Sequence, residues 1–111
     1  MLETVAALDN VEAIIAVDVV DMLLVGSNDL CAEMGTAGQF DHPRQKGAFA
    51  RSIAAARAIG KHVGIGGLAV RDDLVAQFVG MGRTICVDRT DLISLLAASE
   101  QRARFVWEIG V

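Results

Sequence analysis

The stretch VDMLLVGSNDLCAEMG, from Val20 to Gly35, decides the fold. Its first seven residues form a short apolar run, interrupted by Asp21 and closed by a glycine. A run that short, rich in Leu and Val and without polar alternation, reads as a strand buried on both faces. Gly26 lets the chain turn tightly, and Asn28 and Asp29 then offer N-cap side chains for a short helix. A buried strand feeding a helix through a glycine turn is the building unit of an α/β protein.

The same alternation continues in both directions. Residues 5–16 carry apolar side chains at helical spacing, and residues 35–43 form a loop holding Gly35, Gly38 and the only proline, Pro43. Residues 44–59 give the clearest helix, with Pro43 near its first turn and Gly60 at its stop. KHVGIGG, 61–67, is a second strand, and residues 71–82 are a helix ended by Gly80 and Gly82. TICVD, 84–88, is a third strand, and residues 91–107 are a last amphipathic helix. No linker or low-complexity segment interrupts this order, so residues 1–111 read as a single α/β domain with about three parallel strands and alternating helices.

Composition excludes several functions. Hydrophobic residues make up 53% of the 111, enough for a packed core and too many for a disordered chain. The net charge of −4, one Trp and no Tyr argue against nucleic-acid binding. The N-terminus has no positive segment of a signal peptide. The longest apolar-rich run, Ala13–Val25, is broken by Asp18 and Asp21 and is too short to span a bilayer. Cys31 and Cys86 form no CxxC pair and read as small reduced hydrophobes, which points to the cytoplasm.

Two places carry candidate chemistry. Ligands of α/β folds gather at the C-terminal ends of strands, where Asp29 falls. Glu3, about one αβ unit earlier, reaches the same rim if the residues before it are the end of a strand. Two carboxylates with water and a chelating substrate suit Mg²⁺ or Mn²⁺, with Co²⁺ a third candidate. An exposed Glu3 and a helix-capping Asp29 are the ordinary alternatives. The amides that follow Gly26 could hold an anion, or form a plain strand-to-helix turn. The second place is GIGGLA: Gly64, Gly66 and Ala69 fit G-x-G-x-x-G/A in outline, with Asp88 ending the next strand, as in a dinucleotide site. A glycine rim that leaves room for some other ligand is the alternative reading. His42 and His62 lack metal spacing and read as structural, with His62 at a strand entrance. No serine sits in a nucleophile elbow.

The run LLVGSNDLCAEMGTAGQFDHPR resembles the HpcH/HpaI aldolase and citrate lyase family, metal-dependent pyruvate aldolases built on (β/α)8 barrels. The family carries a VGxxDLxxxxG strand end, a glycine loop, an HP pair and a long helix, with an ET pair upstream that is Glu3-Thr4 here. The likeness continues through GKHVGIGG and DLISLLAA. A whole (β/α)8 barrel needs about 250 residues, so the resemblance implies a partial TIM barrel, its C-terminal half. It implies that Glu3 and Asp29 hold the metal. The turn Gly26-Ser27-Asn28-Asp29 holds the pyruvate carboxylate through its amides, and Gly66 and Gly67 shape the pocket. It implies a small keto acid substrate and a homo-oligomer assembled through the last helix. The family's catalytic Arg and His belong to the first half of the barrel, so no catalytic residue is identifiable among these 111. Ser27 stands where many members have Pro, and Arg89 where they often have a small residue.

Three functions remain in play on sequence alone: the C-terminal half of a pyruvate-type aldolase, a non-catalytic half-barrel that binds or assembles, and a dinucleotide-binding unit around Gly64–Asp88.

Overall fold

The computed structural model describes residues 1–68, 71–82, 84–86 and 90–110. Three strands, β1 (Met22–Gly26), β2 (His62–Gly66) and β3 (Thr84–Cys86), form one parallel sheet in the order β1-β2-β3. Leu23 lies opposite Val63, Val25 opposite Ile65 and Gly26 opposite Gly66, so β1 and β2 end level with each other. On the free side of β1, Leu2 pairs with Val25 in parallel. The Leu2 N–H donates to the Leu24 carbonyl at 2.7 Å, and the Gly26 N–H donates to the Leu2 carbonyl at 3.0 Å. That short pairing places Glu3 beside the end of β1.

The helices are α1 (Val5–Asp9), α2 (Val11–Ile15), α3 (Ser27–Glu33), α4 (Pro43–Ala58), α5 (Asp72–Gly80) and α6 (Asp91–Glu108). The helix expected over 5–16 is two short ones. Thr4 caps α1, its Oγ1 accepting from the Ala7 N–H at 3.1 Å. At the junction, Asn10 leaves helical geometry and its Nδ2 donates back to the Ala6 carbonyl at 2.8 Å. A short polar side chain bonding its own backbone competes with helix continuation. Arg51 of α4 ties this pair down through Glu12 (3.0 and 2.8 Å), and Lys61 Nζ donates to the Ile15 and Val17 carbonyls at 2.8 Å each.

In α4, His42 is the N-cap, its Nδ1 accepting from the Arg44 N–H at 3.2 Å, and Pro43 takes the first helical position. Ala48, Phe49, Ile53 and Ala56 of α4 are buried with Leu23, Val25, Val63 and Ile65 of the sheet in a single core. Phe49 and Phe78 meet edge to face at 4.5 Å between ring centres. By contrast, α6 buries none of its residues and exposes Leu92, Leu95, Leu96, Phe105 and Trp107. No described helix is long and apolar enough to cross a membrane.

Candidate functional site

A cleft of about 200 Å³ opens at the C-terminal ends of β1 and β2. Its walls include Glu3, Gly26, Ser27, Asn28, Asp29, Gly66 and Gly67. These are the seven residues singled out in the sequence, brought together from three segments.

Two glycines make the assembly sterically possible. A Cβ on Gly26 would lie 2.8 Å from Glu3 Cγ and 3.1 Å from Glu3 Oε1, so the Glu3 side chain occupies the space that any other residue at 26 would fill. Gly67 has φ +86°, and a Cβ there would lie 2.8 Å from Asn28 Nδ2. Its left-handed backbone and the close approach of Asn28 both require glycine. Glu3 is half-buried and Asp29 is exposed. Neither carboxylate makes a hydrogen bond or ion pair with another described residue. Among the described residues, these two included, no group of three or more His, Cys, Asp or Glu comes together. Two free carboxylates on one small cleft leave several coordination positions for water or a ligand's oxygens, which suits a hard divalent cation.

Some expectations need correction. Asn28 and Asp29 are not caps: Gly26 holds the N-cap position in extended geometry, and the helix is already under way at Ser27. Asp29 therefore lies in the first turn with its side chain unused by the backbone. The dinucleotide outline does not match the geometry. Gly64 lies inside β2, paired with Leu24 and Ile85, instead of in a phosphate turn, and α5 begins only at Asp72. Ala69, Asp88 and Arg89 lie outside the described residues. His62 opens β2 at the opposite end from the cleft and is exposed. Cys31 is buried and free, and burial pushes its thiol pKa up, as an inert core residue requires; the side chain of Cys86 lies outside the described set.

The sequence reading missed an ionic tie between the connections that precede α4 and α5. Arg71 donates from Nε and Nη2 to Asp73 at 2.9 and 2.7 Å, and its Nη2 pairs with Asp41 at 2.6 Å. Asp41 precedes α4 and Arg71 precedes α5, so the guanidinium joins the two connections. The hydrogen bond from Arg71 is the main cause that lowers both carboxyls, Asp73 from 3.8 to about 2. A depressed folded-state pKa contributes stability above the unfolded value that is lost as pH falls through the folded one. The tie therefore acts above about pH 4 and fades toward pH 2. In urea titrations across that window, Arg71→Gln is expected to flatten the acid loss of stability relative to the unaltered chain. An equally steep loss would show that the tie carries no linkage.

The profile of the HpcH/HpaI aldolase/citrate lyase family matches residues 1–98. The chain belongs to that family. A 4-hydroxy-2-oxo-heptane-1,7-dioate aldolase of Salmonella paratyphi C is 32% identical over 102 residues, 92% of this chain and 38% of that protein. A 4-hydroxy-4-methyl-2-oxoglutarate aldolase of Chaetomium globosum is 41% identical over 68 residues, 61% of this chain and 25% of its own length. The fold also matches a crystal structure of a family member from Burkholderia cenocepacia, with TM-score 0.79 and 34% identity over 95% of this chain and 40% of that one. The chain thus spans well under half the length of these family relatives.

Proposed function

We propose that this chain is part of a divalent-metal-dependent pyruvate aldolase, a carbon–carbon lyase that cleaves 4-hydroxy-2-keto acids to pyruvate and an aldehyde. The observation that carries the proposal is the convergence of two unpartnered carboxylates, Glu3 and Asp29, on one strand-end cleft. Membership in the family supports it. The three-stranded sheet with its Leu2 pairing is read as an arc of a (β/α)8 barrel, whose chemistry sits at this end of the strands.

Glu3 and Asp29 would hold Mg²⁺, Mn²⁺ or Co²⁺, with the remaining positions left to the substrate and water. When bound, the cation supplies Lewis-acid stabilisation of the negative charge that builds at the keto oxygen during cleavage. The amides of Ser27, Asn28 and Asp29 orient the substrate carboxylate. Gly66 and Gly67 keep the wall low enough for a small keto acid to enter. Neither histidine is among the residues that line the cleft; the resemblance assigns the proton-transfer His to the first half of the barrel. The exposed apolar residues of α6 support a homo-oligomer assembled through that helix, and the buried free Cys31 suits a cytoplasmic enzyme.

The test is release of pyruvate from a 4-hydroxy-2-keto acid by the purified chain, alone and with the N-terminal half of a relative supplied, with Mn²⁺ or with chelator. Chelator-sensitive release supports the aldolase. Cation binding without release under both conditions identifies a binding module instead. The Gly26 contact gives a narrower check. Gly26→Ala pushes Glu3 off the strand end, so Mn²⁺ affinity measured by calorimetry is expected to fall about tenfold or more, the scale typical of lost ligand positioning. Unchanged affinity would remove Glu3 from the site.

A further inference from the structure

Two buried side-chain oxygens among the described residues lack a hydrogen-bond partner, Ser27 Oγ and Gln45 Oε1. They belong to residues that touch, because Gln45 Nε2 donates to the Ser27 carbonyl in a long bond of 3.4 Å. Both residues are 0% exposed. Gln45 lies on the buried stripe of α4 with Ala48, Phe49, Ile53 and Ala56. A leucine there would pack against the same neighbours and bring no polar atom of its own to satisfy. A buried amide with an unpaired oxygen is a cost that a folded protein rarely carries without return.

What the amide reaches suggests the return. The Ser27 carbonyl and the Asn28 N–H belong to one planar peptide unit and point in opposite directions. A donor fixed on that carbonyl from the core side fixes the direction of the Asn28 N–H and the path of the chain into Asp29. Asn28 and Asp29 both line the cleft. We propose that Gln45 is a positioning residue for the cleft: its amide, lodged beneath the turn that follows Gly26, sets the Ser27–Asn28 peptide plane and through it the placement of Asp29. The consequence for cation binding rests on the metal reading above; the positioning itself does not.

Gln45→Leu removes the amide and keeps the bulk. In metal-free ¹⁵N NMR spectra the Asn28 and Asp29 amide resonances are expected to move. The thermal midpoint should stay level or rise, since an unpaired buried oxygen is removed, while the Kd for Mn²⁺ rises about tenfold. A residue with only a structural role would lower the midpoint and leave the Kd of the folded protein unchanged. Gln45→Met serves the same purpose if the leucine variant aggregates. Stationary Asn28 and Asp29 resonances overturn the proposal, as does a Kd within twofold of the unaltered chain where that chain binds Mn²⁺. Glu3→Gln separates the two readings. If neither the unaltered chain nor Glu3→Gln binds Mn²⁺ but the resonances still move in Gln45→Leu, the positioning stands and the metal reading fails.

Discussion

Asp29→Ala will abolish measurable Mn²⁺ binding, and Glu3→Ala will do the same. Glu3 and Asp29 both line the cleft and neither has a described partner, so on the proposed metal site removing one leaves a single anionic ligand for a hard divalent cation. One exposed carboxylate in water binds such an ion only weakly, because high dielectric and salt screening leave little of the attraction. The affinity loss should therefore exceed the tenfold effect expected of Gly26→Ala, which displaces a ligand without deleting it. Neither alanine should destabilise the chain much: Asp29 is exposed, Glu3 is half-buried, and neither holds a hydrogen bond to another described residue. Calorimetric titration of Mn²⁺ beside a thermal melt separates the two effects. A variant that melts normally and binds Mn²⁺ as tightly as the parent would end the metal reading, and the proposed lyase chemistry with it.

How much of this could be read in the sequence differs from feature to feature. The strands were legible because a short apolar run closed by glycine has few other uses. Their ends moved by two residues at Val20 and Asp21, as strand and helix limits commonly do. The break at Asn10 was not legible, since the apolar spacing runs through it unperturbed and only a side-chain bond to Ala6 interrupts the helix. Asn28 was misread as a cap because cap residues are preferences, whereas the cap position is set by the backbone, here extended at Gly26. The convergence of Glu3 with Asp29 needed more than spacing. It depends on two hydrogen bonds that pair Leu2 with β1, and nothing in MLET announces a strand. Gln45 left a faint signal, a polar residue on an otherwise apolar helical stripe. Its contact lies 18 residues back in the chain, and no local rule reaches that far. The Arg71 tie left a clearer one, an Arg two residues before an Asp at a helix start, but its second partner, Asp41, comes from a distant loop.

Phe49→Ala will carry the largest loss of stability, about 3–5 kcal/mol by the usual cost of truncating a buried ring. Phe49 is fully buried on α4, and Phe78, 2% exposed, is its neighbour on α5. Their rings meet at 4.5 Å and 65°, an edge-to-face contact worth about 0.5–1.5 kcal/mol beyond the area buried. No other aromatic pair joins these two helices among the described residues. Truncation also opens a cavity between two elements that cannot easily close on it, since each is held by its own strand and loop. A small domain typically has about 5–15 kcal/mol of stability in total, so this one change removes a large share of it. Phe49→Leu keeps much of the volume and loses the ring edge, and should cost well under half as much. Combining Phe49→Leu with Phe78→Leu in a double-mutant cycle isolates the ring contact. A coupling near zero, with Phe49→Ala costing less than about 1 kcal/mol in urea unfolding, would show that α4 and α5 do not pack through these rings. Asp29→Ala should be far less costly in the same assay, because Asp29 is exposed at the rim of the sheet and not in the layer these rings fill.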